Sequence, residues 1–200
     1  LRRALNAYAV GEYPGAERLL LALRDREGET PRVLRNLGLA RMAAGDLAGA
    51  EALFAKDMAR HGATSDRLKT LADVAYLAGD RLRAERRFAE ALADPDCPCR
   101  TLFERRIALC SDATAYAEAL RGKEAFAQGS ACLEAQDTEA ALAAFRLAVA
   151  ADPTDFAALN NIGGILLNQC NDPEGAARAF AQALELQPLP LVRANLALAE

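Results

Sequence analysis

The chain has 200 residues, 52% of them hydrophobic, and its 24 basic and 28 acidic side chains leave a net charge of −4. That composition can bury a continuous core, while no run of about 18 apolar residues is present to insert directly into a membrane. There is no basic stripe for nucleic acid, and with one histidine, no glycine-rich phosphate loop and no metal-ligand spacing, neither catalysis nor a cofactor finds support.

Taken in order, the chain opens at Leu1 inside a helix that pairs with a second around Ala16–Leu23. In the stretch Arg35–Ala44 apolar residues fall at helical spacing, and Gly38 marks a point where two helices approach too closely for a side chain. Gly45-Asp46 ends that helix, since glycine tolerates a left-handed cap and aspartate caps the helix that follows. The next helix carries Ala50, small at a helix crossing, and Phe54, large enough to fill the gap to a neighbouring unit. Leu71-Ala72, Gly79-Asp80, Ala84, Phe88 and Ala91 then repeat the pattern. The segment Asp94–Arg121 breaks register, because Phe88 and Phe145 are 57 residues apart. It holds the sequence DPDCPC, an amphipathic stretch Thr101–Leu109 and a second from about Ala113, which fits two short helices or one degenerate unit. Further on, Ala141, Phe145, Ala148 and Pro153 are matched 35 residues later by Ala176, Phe180, Ala183 and Pro188. The extra residue is expected in the turn Cys170–Pro173, where an insertion costs little. Leu191–Glu200 reads as the first helix of another unit.

Three interleaved sets recur at an interval of 34: Gly11, Gly45 and Gly79; Ala16, Ala50 and Ala84; Leu20, Phe54 and Phe88. A helix–turn–helix period of 34 residues resembles that of the tetratricopeptide repeat (TPR) family. The stretches AVAADP and ALELQP resemble the family's usual unit ending. The resemblance implies an all-α fold, a right-handed superhelical solenoid of antiparallel helix pairs. It divides into an N-terminal block over 1–93 of about two and a half to three units, an irregular segment over 94–121, and a C-terminal block over 122–200. Both ends look cut, so the chain is expected to be a piece of a longer protein. Residues 1–121 carry a net charge of +2 and residues 122–200 a net −6, so the two parts would favour ligands of opposite sign unless these charges are simply solvated outer faces.

In this family the first helix of each unit lines a concave groove. One slot on that helix holds Asn36, Asn161 and Asn195, with Thr70 and Ala127 in the other two units. A carboxamide both donates and accepts, so such a series resembles the asparagine ladder of arrays that hold an extended peptide by its main chain. The simpler alternative is that each asparagine bonds locally. Near these positions Arg32, Arg35, Lys69 and Tyr76 are expected on the N-terminal groove, and Lys123 and Asn160 on the C-terminal one. Leu39 stands where a clamp for a C-terminal carboxylate needs an asparagine, which disfavours that mode.

The five cysteines are an odd number. Cys97-Pro98-Cys99 has one residue between its thiols, too few for an ordinary zinc pair, which leaves a redox pair, a strained disulfide or packing. Cys110, Cys132 and Cys170 fall in helical patterns and read as small buried hydrophobes.

The resemblance implies a non-catalytic scaffold that binds a peptide segment or partner subunit. Its alanine- and arginine-rich composition points to a bacterium, in the cytoplasm or periplasm, where such arrays serve assembly or secretion machines. Two alternatives stay open: the substrate-recruiting part of a larger enzyme such as a transferase, and a self-assembling homo-oligomer built through open array ends.

Overall fold

The computed structural model describes residues 1–9, 11–95 and 97–200. Asp96, inside the DPDCPC sequence, lies outside the described residues. Among the described residues there are twelve helices and no strand. They form two compact units, Leu1–Asp94 and Pro95–Glu200.

The first unit contains α1 (Arg2–Ala9), α2 (Tyr13–Glu27), α3 (Pro31–Ala43), α4 (Leu47–His61), α5 (Ser65–Leu77) and α6 (Arg81–Leu92). Each odd-numbered helix packs on its successor, and α2 against α3 and α4 against α5 join one pair to the next. The helix starts follow from short polar side chains that satisfy otherwise unpaired amides. Thr30 and Thr64 accept from the amides of Val33 and Arg67 at 3.3 Å each. Asp46 and Asp80 do the same for Gly49 at 2.8 Å and Arg83 at 3.1 Å.

Within each pair a small residue on the first helix faces a large one on the second. A Cβ built on Gly38 would lie 2.3 Å from the ring of Phe54, so any larger side chain would displace that ring. Phe54 is 2% exposed, and in the next pair Ala72 and Phe88 are both fully buried. In the first pair Ala4 and Leu20 play the corresponding parts, both buried. The core therefore runs from pair to pair, with Leu20 among Leu23, Val33 and Leu37, and Phe54 among Leu71 and Val74. Truncating one of these buried rings to alanine costs about 3–5 kcal/mol.

The second unit contains α7 (Arg100–Ser111), α8 (Ala113–Glu134), α9 (Thr138–Ala151), α10 (Phe156–Asn168), α11 (Pro173–Leu186) and α12 (Pro190–Ala199). Its pairs are α8 with α9 and α10 with α11, and α12 packs on α11 and α10. The small-under-large rule returns: Cβ atoms on Gly129 and Gly163 would meet the rings of Phe145 at 2.9 Å and Phe180 at 2.6 Å. The left-handed turn filled by Gly45 and Gly79 in the first unit is occupied here by Gln136, at φ 63°, and Asn171, at φ 52°.

The irregular segment differs from expectation in one respect. No break falls at residue 121, because α8 runs unbroken for 22 residues through it. Gly122 permits this: its Cβ position lies 3.0 Å from Ala151 and 3.2 Å from the carbonyl of Ala148, so α8 lies flat on α9 there. The short α7 precedes α8 and also touches α11. Cys97, Cys99 and Cys110 are buried, and none of the three is in a disulfide. Cys170 departs from its expected burial and is exposed, because it lies in the turn after α10 and not on a packed helix face.

Candidate functional site

In the first unit, α3 and α5 are the first helices of adjacent pairs, and their N-terminal turns enclose a cleft of about 340 Å³. Arg32, Arg35 and Asn36 line it from α3, Asp66 and Arg67 from α5, and Asp57 from α4. Three of the residues expected on the groove are thus brought together. Their side chains are already engaged. Both guanidinium nitrogens of Arg35 donate to the Asp66 carboxylate, the longer bond at 3.1 Å, tying α3 to α5. Arg32 reaches Glu27 at 3.4 Å. The Asn36 amide donates to the carbonyl of Arg32 at 2.7 Å, one turn earlier, which is the local bond weighed above against a ligand role.

Arg67 forms the fixed wall of the cleft. Its Nε donates to Asp57 at 2.8 Å, and Nη1 donates to the carbonyls of His61 at 3.3 Å and Gly62 at 3.4 Å. The same carboxylate meets His61 Nδ1 at 2.8 Å. Asp57 is 4% exposed, so its contacts with Arg67 and His61 sit largely out of water, where losing a partner costs more than at the surface.

Two expected groove residues lie elsewhere. Tyr76 is fully buried, with its ring edge-on to Phe88 at a centroid distance of 6.3 Å. It packs against Phe88 on the second helix of its own pair. Lys69 is drawn down along α5, where its ammonium bonds Asp73 at 2.7 Å with both side chains largely covered.

In the second unit, α8, α10 and α12 are the first helices. Lys123 on α8 donates to Asp155 at 2.8 Å and lies 3.5 Å from Asp152. Asp152 and Asp155 are 0% and 5% exposed. Asp152 also accepts the amide of Thr154 at 2.9 Å, and the Thr154 hydroxyl accepts Arg106 Nε at 3.1 Å. Lys123 thus pins α8 to the start of α10, while Arg106 pins α7 to the same turn. Asn195 on α12 donates to Asn160 on α10 at 3.1 Å, and Asn161 beside it is half-buried.

The polar residues of the first helices therefore bridge neighbouring first helices: Arg35 to Asp66, Lys123 to Asp155, Asn195 to Asn160. The acidic partners Asp57, Asp66, Asp152 and Asp155 were not expected from sequence. Asp57 did leave a signal, since it continues the apolar stripe of Ala50 and Phe54 and ends it at His61. Among the described residues no group of three His, Cys, Asp or Glu side chains is placed to hold a metal ion. No helix among them is long and apolar enough to cross a membrane.

The sequence model of the tetratricopeptide repeat matches residues 1–63 and 126–189, well over half of the chain. The chain belongs to the tetratricopeptide repeat family. The two matched spans cover α1 to α4 and the last part of α8 with α9 to α11, and the gap between them contains α5, α6, α7 and the first part of α8. No curated protein matches the TPR chain in sequence. Among solved structures it is similar to the APC/C hetero-tetramer Cut9–Hcn1, at 13% identity over 98% of this chain and 41% of that one, with a TM-score of 0.51. It is also similar to YrrB, a TPR protein with an unusual peptide-binding site, at 14% identity over 97% and 88% of the two chains and a TM-score of 0.46. MamA from Desulfovibrio magneticus RS-1 matches at 18% identity over 94% and 92%, with a TM-score of 0.44. At such identities the likeness speaks for the fold alone.

Proposed function

We infer that this TPR chain is a protein-interaction scaffold that takes a peptide segment or a partner subunit on the first helices of its repeats. The observation that carries the reading is the cleft between α3 and α5, where Arg32, Arg35, Asn36 and Arg67 meet at the junction of two repeats. The ion pairs there are more than a third exposed on both the Arg35 and Asp66 sides, so an incoming carboxylate or main-chain carbonyl can exchange with them at small cost. The buried Asp57–Arg67 contact holds the cleft's wall in place meanwhile. In the second unit, Asn160, Asn161 and Asn195 present carboxamides that serve main-chain donors and acceptors alike. A role in a bacterial assembly or secretion machine belongs to the same reading, supported by the alanine- and arginine-rich composition.

The test is affinity capture of the intact protein from its source, with quantitative mass spectrometry, for the wild type and for Arg35→Ala combined with Asn36→Ala. A stoichiometric partner that is lost with the double variant and retained with Arg86→Ala, on an exposed part of α6, supports the reading. Equal recovery by all three proteins removes the first-helix surface from it.

A further inference from the structure

A second groove lies in the second unit, away from the α8, α10 and α12 positions discussed above. It measures about 320 Å³ and is bounded by α9 and α11, the second helices of adjacent pairs. Leu159, Ile162 and Leu166 of α10, each 5–8% exposed, form its apolar floor, Val149 of α9 extends it, Arg146 and Arg178 stand on its two opposite walls, and Asp172 lines it at the start of α11 with its carboxylate taken up by the amide of Gly175 at 2.8 Å. The floor residues are spaced i, i+3 and i+7, which spans about 10 Å along α10, or two helical turns.

The charge pattern gives the occupant its character. Residues 122–200 hold only four basic side chains against ten acidic ones, and two of those four line this groove. Arg146 is exposed and has no ion pair among the described residues. Arg178 has only a 4.0 Å approach to Glu174, with the two side chains 70% and 89% exposed. Two available guanidiniums facing each other across an apolar strip match a ligand that is apolar along its centre and acidic along both edges. The surrounding negative charge is screened beyond about 8 Å at physiological ionic strength, whereas the arginines act at contact.

We propose that the groove between α9 and α11 docks an amphipathic helical segment of a partner protein, with leucine-type side chains on its contact face and carboxylates on its flanks. The segment lies along the groove, sets its apolar residues at helical spacing onto Leu159, Ile162 and Leu166, and pairs its flanking carboxylates with Arg146 and Arg178. This surface is separate from the first-helix cleft, so a partner held there and a segment held here can be bound together.

The experiment uses the intact chain and two labelled, end-capped helical peptides of about 14 residues, with leucine at i, i+3 and i+7 on an alanine background. One peptide carries glutamate on both flanks and the other carries lysine. Binding is followed by fluorescence anisotropy at physiological salt. The glutamate peptide binds saturably and at least roughly tenfold tighter than the lysine peptide. Arg146→Glu with Arg178→Glu reverses that preference while the helical circular-dichroism melt is retained, both positions being exposed. Arg35→Ala with Asn36→Ala leaves the peptide affinity unchanged, which separates this groove from the first-helix cleft. The proposal is overturned by the absence of saturable binding at ~1 mM peptide, by equal affinity for the two peptides, or by an affinity indifferent to the two charge reversals.

Discussion

Gly163 and Gly164 are consecutive residues of one helix, yet substituting each with alanine should move stability in opposite directions. Alanine gains about 0.8–1 kcal/mol over glycine in a helix interior. At Gly164 nothing lies within 4 Å of the new methyl group, so that gain is realised. At Gly163 the methyl would sit 2.6, 2.7 and 2.8 Å from three atoms of the Phe180 ring, which is 1% exposed and cannot swing into water. Overpacking of that kind costs about 1–3 kcal/mol. The propensity term is common to both variants, so their difference isolates the packing term at about 1–3 kcal/mol. Urea and thermal unfolding of the two variants against wild type read it directly, with about 2–4 °C in Tm for each kcal/mol in a chain of this size. Gly163→Ala combined with Phe180→Leu should recover much of the loss, because the smaller side chain vacates the contact. If Gly163→Ala proves as stabilising as Gly164→Ala, the small-under-large packing that organises every repeat here is not a constraint.

Other expectations follow from single features. Gln136 holds a left-handed conformation that costs an L-residue about 1–2 kcal/mol, so Gln136→Gly should stabilise by about 0.5–1 kcal/mol after the greater freedom of unfolded glycine is subtracted, as a rise in Tm. Asp57→Ala should destabilise by about 1.5–3 kcal/mol, since it strips Arg67 and His61 of their shared partner at a buried site, and a cycle with Arg67→Ala in urea should show coupling. The Glu29 carboxyl is held below its usual range by the hydrogen bond from Lys56 at 2.6 Å and by the charges of Arg60 and Arg24, against a partial desolvation. A lowered carboxyl stabilises the fold above the unfolded titration range near about 4.3 and loses that contribution as pH falls through the folded value. Melts recorded below about pH 5 should therefore show a steeper acid loss for wild type than for Glu29→Gln.

Much of the fold was legible because packing constraints repeat. Gly38, Ala50 and Phe54 occupy positions where size is dictated by the facing helix, and the same sizes return one period later. The segment around α7 and α8 was not legible to the same degree. Its only regularity is amphipathic spacing, which marks a helix without marking its end, so the continuity of α8 through Arg121 was missed. Site residues were harder still. Helical spacing places Asn36 on a face but does not distinguish a bond to the carbonyl of Arg32 from one to a ligand. Tyr76 is placed on the groove by its helix position, yet its ring is fully buried edge-on to Phe88. The acidic residues that bind Arg67 and Lys123 come from neighbouring helices, a pairing that no single-helix pattern contains.

The scaffold reading rests most directly on the cleft between α3 and α5. The decisive measurement is titration calorimetry of the captured partner, or of its minimal binding peptide, against wild type and Arg35→Ala with Asn36→Ala, with Tm recorded for both proteins. The account predicts an affinity loss of roughly 1–3 kcal/mol, about five- to a hundredfold, at nearly constant Tm. An unchanged affinity would contradict it and move the binding surface off the first helices.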